Sequence, residues 1–350
     1  MENTNREIPI FFASDDNYVP LLAIAIKSLL TNASKEYQYS IYILTTNMSE
    51  ENRDILKKMT TENSTIEFIA LANELDKIKH LFRLRDYYSK ETYYRFFIPS
   101  LFPKYTKVLY LDCDIIVKGD ISELYNIDLG DNYVAAAQEE VLLLNDTFRD
   151  YPLKTYGIPV EEYFNAGVML MNTQRMTKDK IAEKFVALAE KYTFRIIQDE
   201  DYLNVLLKDH KKMISLGWNK TAFKNDKFDD KDLKLVHYKV IWRPWHYENV
   251  LYEDLFWEYA KQTPFYLQMR DVLDSYNEEM KAKDDSMMKN FVVTMKEDME
   301  NPNNYLKTHK VVMKETNNIF DKWGFKNTLN RISKKIKIKG YRKFYGNRKK

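Results

Sequence analysis

Two aspartates one residue apart, Asp112 and Asp114, interrupt an otherwise apolar run, Val108-Leu109-Tyr110-Leu111-Asp112-Cys113-Asp114-Ile115-Ile116-Val117. The run reads as a buried strand, with the acids where such a strand would end. Side chains at i and i+2 of extended chain share a face, so both carboxylates point one way and Cys113 points the other, into the core. Aligned carboxylates in apolar surroundings repel each other and are costly to desolvate unless a divalent cation lies between them. The pair is therefore a candidate metal site. Of the 5 histidines, His237 is the candidate third ligand, because it ends a strand-like segment and leads into Trp242-Arg243-Pro244-Trp245-His246. His80, His210 and His309 sit in polar, helix-like surroundings, and His246 is placed to support the site rather than ligate. Two hard carboxylates and an imidazole, with no thiolate cluster, suit manganese, with magnesium as the alternative. A second acidic triplet, Asp199-Glu200-Asp201, opens a helical pattern, where acids favour the positive end of the helix dipole.

The elements that must position these residues alternate. Ile8 to Ala13 is strand-like and runs into the polar turn Ser14-Asp15-Asp16-Asn17-Tyr18; Pro20 then opens a helix-spaced segment through Leu29. Tyr39 to Thr45 and Ile66 to Leu71 read as strands flanking a helix from Ser49 to Met59. Such alternation predicts a parallel sheet covered on both faces, with ligands beyond the C-terminal strand ends, where Asp15 and Asp112 fall. Thr92 to Phe97 is an aromatic, helix-compatible run carrying Arg95, and Val134 to Ala137 is a further strand ending at Gln138-Glu139-Glu140. Tyr163 to Asn172 contains Gly167, one of 8 glycines in the chain, which points to a close backbone approach.

Several blocks occur in order: Ala13-Ser14-Asp15-Asp16-Asn17-Tyr18, Tyr94-Arg95, Leu109 to Asp114, Phe164-Asn165-Ala166-Gly167-Val168, Asp199 to Asn204, and His237-Tyr238 followed by Arg243-Pro244-Trp245. Over roughly residues 8 to 265 the chain resembles the retaining glycosyltransferases of family 8, which include bacterial lipopolysaccharide galactosyl- and glucosyltransferases and are related to glycogenin. The resemblance implies a GT-A fold, an α/β architecture whose mixed, mostly parallel sheet carries helices on both faces. It also implies UDP-galactose or UDP-glucose as donor, and manganese held by Asp112, Asp114 and His237 against the donor's phosphates. Asp15, Asn17 and Tyr18, after Ala13, then match the uridine and ribose loop, and Arg95 matches a contact to donor sugar and phosphate. Asn165, Ala166, Gly167 and Asp199 match the donor-sugar pocket, and Cys113 joins the donor-binding set between the two aspartates. Arg243 stands at a family lysine on the diphosphate, where a guanidinium can bind phosphate in a forked geometry.

Two positions depart from the family. Glu200 stands where glutamine is common, on the reacting face of the donor sugar, and Val240 replaces a glycine. A carboxylate at 200 could serve as nucleophile or stabilise an oxocarbenium-like transition state. Glu139 falls where the family places an acceptor-side carboxylate, so Glu200, Glu139 and Asp199 form the candidate catalytic set. Direct same-face attack and a covalent intermediate on Glu200 or Glu139 both fit these residues. The rival readings are an inactive UDP-sugar-binding module and a nucleotidyltransferase-type metal enzyme. The filled metal positions oppose the first, and the lack of a glycine-rich phosphate loop opposes the second.

Bulk composition sets the outer frame. The 350 residues, 45% hydrophobic and 14% aromatic, support a large core. One cysteine rules out an intramolecular disulfide, and the reading is a cytoplasmic protein without a signal peptide or spanning segment. Residues 1–264 are expected to form the catalytic domain, 265–321 an accessory helical segment, and 322–350 a basic tail. That tail holds 12 of the 54 Lys and Arg and no acid, which leaves 42 basic against 52 acidic residues in the remainder. Its interleaved aromatics suit an anionic membrane surface on the inner face of the plasma membrane, and nucleic acid is not expected. The acceptor class stays open among a saccharide, a lipid-linked glycan and a glycoprotein.

Overall fold

The computed structural model describes residues 6–71, 76–82 and 90–309. The basic tail lies outside the described residues, as does the end of the expected accessory segment.

The polypeptide alternates as expected at its start. β1 (Glu7–Ala13), β2 (Gln38–Thr45) and β3 (Ser64–Ala70) are parallel, linked by α1 (Val19–Asn32) and α2 (Glu50–Lys57). Pro20 sits in the first turn of α1, and the Ser49 side chain caps α2 by accepting from the Asn52 N–H. A 3₁₀ helix over Lys90–Phe97 delivers Arg95 before β4 (Val108–Leu111) enters beside β1. β6 (Val134–Gln138), β7 (Phe164–Met171) and β8 (Lys211–Ile214) complete a seven-stranded sheet in the order β3-β2-β1-β4-β7-β6-β8. Only β7 runs against its neighbours, so the sheet is mixed and mostly parallel.

A second sheet corrects the reading of the run from Val108 to Val117 as one strand. β4 stops at Leu111, and β5 (Ile115–Val117) belongs to a three-stranded sheet in the order β5-β10-β9, with β9 at Lys220–Thr221 and β10 at Leu235–His237. Asp112-Cys113-Asp114 is thus the crossing between two sheets. Antiparallel register sets His237 opposite Ile115, the residue after Asp114.

Helices fill the remaining layers: α3 (Asp146–Tyr156), α4 (Ile181–Lys191), α5 (Asp199–Leu207), α6 (Glu253–Ala260), α7 (Tyr266–Ser275) and α8 (Glu278–Glu300). α8 is capped by Asn277 and packs on α3, and its Met287, Phe291 and Met295 join the same core cluster as the strand residues Tyr110 and Met169. The expected accessory helix is therefore continuous with the core of the sheet it follows. Among the described residues no helix is long and apolar enough to cross a membrane.

Candidate active site

One ligand atom each from Asp112, Asp114 and His237 lies within 4.8 Å of the others. His237 Nε2 is 3.1 Å from Asp114 Oδ1 and 3.8 Å from Asp112 Oδ2. Its Nδ1 faces Asn219 Oδ1 at 2.9 Å, and Asn219 Nδ2 in turn donates to Asn165 Oδ1 at 2.7 Å. With Nδ1–H donated to Asn219, the ring turns Nε2 toward two carboxylates, where either a proton, giving a His237–Asp114 ion pair, or a divalent cation satisfies the three facing atoms. The donor set therefore fits a hard divalent ion. Gly167 leaves the room: a Cβ there would meet His237 Cε1, sit 2.6 Å from Asp112 Oδ2 and 3.0 Å from Asn165 Oδ1. The sequence signal of close approach at this glycine is accounted for by the side chains of His237, Asp112 and Asn165.

Charge around the triad is balanced locally. Arg95, buried, reaches Asp112 Oδ1 from Nη2 at 3.1 Å, donates from Nη1 to the Ala166 carbonyl at 2.5 Å, and lies over the Tyr110 ring at 4.3 Å. Its Nε stands 3.1 Å from Asp199 Oδ2 as an ion pair outside hydrogen-bond geometry. Enclosure by protein would push the Asp114 carboxyl up, but the His237 imidazole and the Arg243 guanidinium hold it below the ordinary carboxylate value. Asp199 is shifted the other way, because its burial and the Asp112 charge outweigh Arg95.

Glu139 and Glu200 converge on one amide. Asn165 Nδ2 donates to Glu139 Oε2 at 2.5 Å and to Glu200 Oε2 at 3.0 Å, and the Ala166 N–H donates to the same Glu200 oxygen at 2.7 Å. The two carboxyls differ in state. Burial raises both, yet Lys239 Nζ, at 2.6 Å from Glu139 Oε1, holds Glu139 ionised. Glu200 is pushed well above the ordinary range by its burial and by the Glu139 charge. Its Oε1 is buried without a hydrogen-bond partner.

These groups line one cavity of about 150 Å3. Of the predicted donor-binding set, Ala13, Tyr18, Arg95, Asp112, Cys113, Asn165 and Asp199 line it. Asp15, Asn17, Ala166, Gly167 and Arg243 are not among its lining residues. Asp15 Oδ1 caps the turn into α1, accepting from the Asn17 and Tyr18 N–H groups at 3.0 and 3.1 Å. Cys113 lies in the core with Sγ donating to the Ala13 carbonyl, and burial raises its thiol pKa. His246 stacks on Tyr276 with ring centroids 3.9 Å apart, and burial and Arg243 push its imidazole down to about 4.

The chain matches Glycosyl transferase family 8 over residues 9–249. It belongs to glycosyltransferase family 8. It is 28% identical over 248 residues to the lipopolysaccharide 1,3-galactosyltransferase of Salmonella typhimurium, covering 68% of this chain and 72% of that protein. With glycosyltransferase GlyE of Streptococcus pneumoniae it shares 30% identity over 284 residues, 74% of this chain but 62% of GlyE's length. Among solved structures, a glutamine-to-glutamate active-site mutant of LgtC superposes with a TM-score of 0.62 at 26% identity, covering 73% of this chain and 96% of LgtC. The two-sheet architecture of this family 8 glycosyltransferase is accordingly the GT-A fold.

Sequence reasoning missed three parts of the site. Asn219 and Lys239 carry no local signal, since each is defined by partners distant in the chain. Met288, Phe291 and Met295 of α8 also line the cavity; their helical spacing was legible, but the surface they cover was not.

Proposed function

We propose that this chain moves galactose or glucose from its UDP-sugar to a hydroxyl of a saccharide or glycoconjugate acceptor, with retention at the anomeric carbon. The observation that carries the reading is the convergence of Asp112, Asp114 and His237 with Glu139, Asn165 and Glu200 on one cavity. Asp112, Asp114 and His237 would hold manganese, which when bound supplies positive charge opposite the donor's diphosphate. Arg243, close enough to Asp114 to lower its pKa, adds a fixed cation on that side. Arg95 holds Asp112 and Asp199 in place.

Glu200 faces the reacting carbon. Burial and the neighbouring Glu139 charge make a carboxylate at Glu200 costly in this cavity, and positive charge developing at the anomeric carbon offsets that cost. The interaction therefore strengthens in the transition state, which is the condition for catalysis. Glu139, kept ionised by Lys239, serves the acceptor hydroxyl as a hydrogen-bond acceptor.

The test is UDP release measured with each UDP-sugar, with and without manganese, for the native chain and Asp114→Ala. UDP-galactose or UDP-glucose should be turned over only with the cation, and Asp114→Ala should fall below detection. Full activity of the variant, or activity in excess chelator, excludes this reading. Residues 322–350 supply a second, separable element, a membrane contact in which each Lys or Arg near an anionic surface contributes about 1 kcal/mol. Removing them should abolish sedimentation with phosphatidylserine vesicles and leave UDP release intact; unchanged sedimentation excludes the tail as anchor.

A further inference from the structure

The cavity has two chemically distinct halves. One is the acid cluster with Asn165, Lys239 and His237; the other is built by Leu142, Phe148, Ile197, Met288, Phe291 and Met295. The apolar half comes from three separate pieces of chain: the segment after β6 and its helix α3, Ile197 two residues before α5, and α8. Along the chain the two kinds of lining adjoin at the carboxyls. Glu139 Oε1 accepts from the Val141 N–H at 2.8 Å, and Ile197 precedes Asp199 and Glu200 by two and three positions.

Of the parts of a UDP-sugar, only the uracil gains from an apolar wall, and it is assigned above to the loop of Ala13 and Tyr18, which lines the cavity apart from these residues; the hydroxyls, phosphates and ribose gain nothing there. The remaining substrate is the acceptor, whose attacking hydroxyl must lie at the Glu139–Glu200 border, so what is attached to that sugar extends along the apolar half. We propose that this half is an aglycone subsite: the acceptor is a glycoside carrying an alkyl or aryl group, and Met288 and Phe291 set the preference for it. The inference rests on the transferase reading above and names its acceptor class. Methionine thioethers adapt to irregular shapes, so the subsite accepts hydrocarbon of varied form while the carboxyls fix the hydroxyl.

The full chain, with UDP and manganese present, is titrated with methyl and hexyl β-D-glucopyranoside and with the matching galactosides, and binding is read by ligand-detected NMR. The hexyl glycoside should bind at least about 10-fold more tightly than the methyl glycoside, in line with burial of several methylenes. Met288→Asn and Phe291→Leu should each reduce that ratio at least about 3-fold; Met288, partly exposed, keeps the test available if the Phe291 variant does not fold. Equal affinity for both glycosides, including no binding of either, overturns the proposal. So does a hexyl preference that both folded variants retain. UDP release by the native chain without any glycoside tests the transferase reading separately, so the two can fail independently.

Discussion

Gly167 shows how tightly the site is specified at the level of one atom. An alanine methyl would enter the space between His237, Asp112 and Asn165, each of which is held by other partners and cannot swing away. Gly167→Ala should cost about 1–3 kcal/mol of stability by overpacking, and displace two ligands. The manganese concentration giving half-maximal UDP release should rise at least about 10-fold, while circular dichroism reports a folded chain. Unchanged metal dependence would mean the ligands can move aside. This residue was readable in the sequence because glycine is scarce in the chain and sits in a strand. Lys239 was not: a lysine two residues after a histidine says nothing about a carboxylate 100 positions earlier. Val240 falls between these cases. Its φ of 60° is the left-handed conformation a glycine adopts freely, and a β-branched residue holds it at a cost of about 1–3 kcal/mol. The loop thus takes at Val240 a conformation that glycine would adopt without that cost.

Elements of regular length were legible, and of the short strands only β10 was, as the strand-like segment that His237 ends. The strands β1 to β3 and the helices between them follow their periodicity, whereas β5 and β9 span three residues or fewer and carry no period. The apolar run around Asp112 therefore read as one strand, because nothing local distinguishes pairing with β1 and β7 from pairing with β10. α5 supplies a second lesson. Its three opening acids read as suited to the helix dipole, with Asp199 and Glu200 as site candidates, and all three are buried; Asp201, which carried no reading of its own, accepts from Tyr163 at 2.7 Å and Tyr151 at 3.1 Å. Burial pushes the Asp201 carboxyl up to about 7 from the ordinary 3.8, against the pull of those hydrogen bonds. Above the ordinary value the unfolded chain releases this proton while the folded chain keeps it. Stability from this group is therefore complete below about pH 4 and is lost as pH rises through about 7, by at most ~1.4 kcal/mol per unit. Asp201→Asn lacks that slope, so urea midpoints should show the variant gaining on the native chain between pH 4.5 and 7.5. A constant difference across that range would refute the shift.

At the scale of the molecule, the helices after residue 264 and the loop that carries Arg243 form one assembly. Asp284 of α8 accepts hydrogen bonds from Tyr247 and Tyr276, both at 2.8 Å, and Tyr276 stacks on His246, three residues after Arg243. Asp284→Ala leaves two tyrosine hydroxyls without that partner and should cost about 1–3 kcal/mol. UDP-sugar KM should rise with it, because the Arg243 loop loses its brace; a stability loss with unchanged KM would separate the helix from the loop. The sequence placed these helices at the edge of the catalytic unit, since composition reports amphipathicity and not the surface that will be covered. The register that sets His237 beside Ile115 has a thermodynamic side as well. Only three residue pairs join β10 to β5, and opening that short ladder would carry off His237, one of the three proposed ligands, and leave Asp112 and Asp114 behind. A cation gripped by all three side chains favours the closed ladder, so its concentration acts as a load on a local opening equilibrium. Amide exchange at Val236 and His237 then becomes a gauge of occupancy, readable without any sugar present.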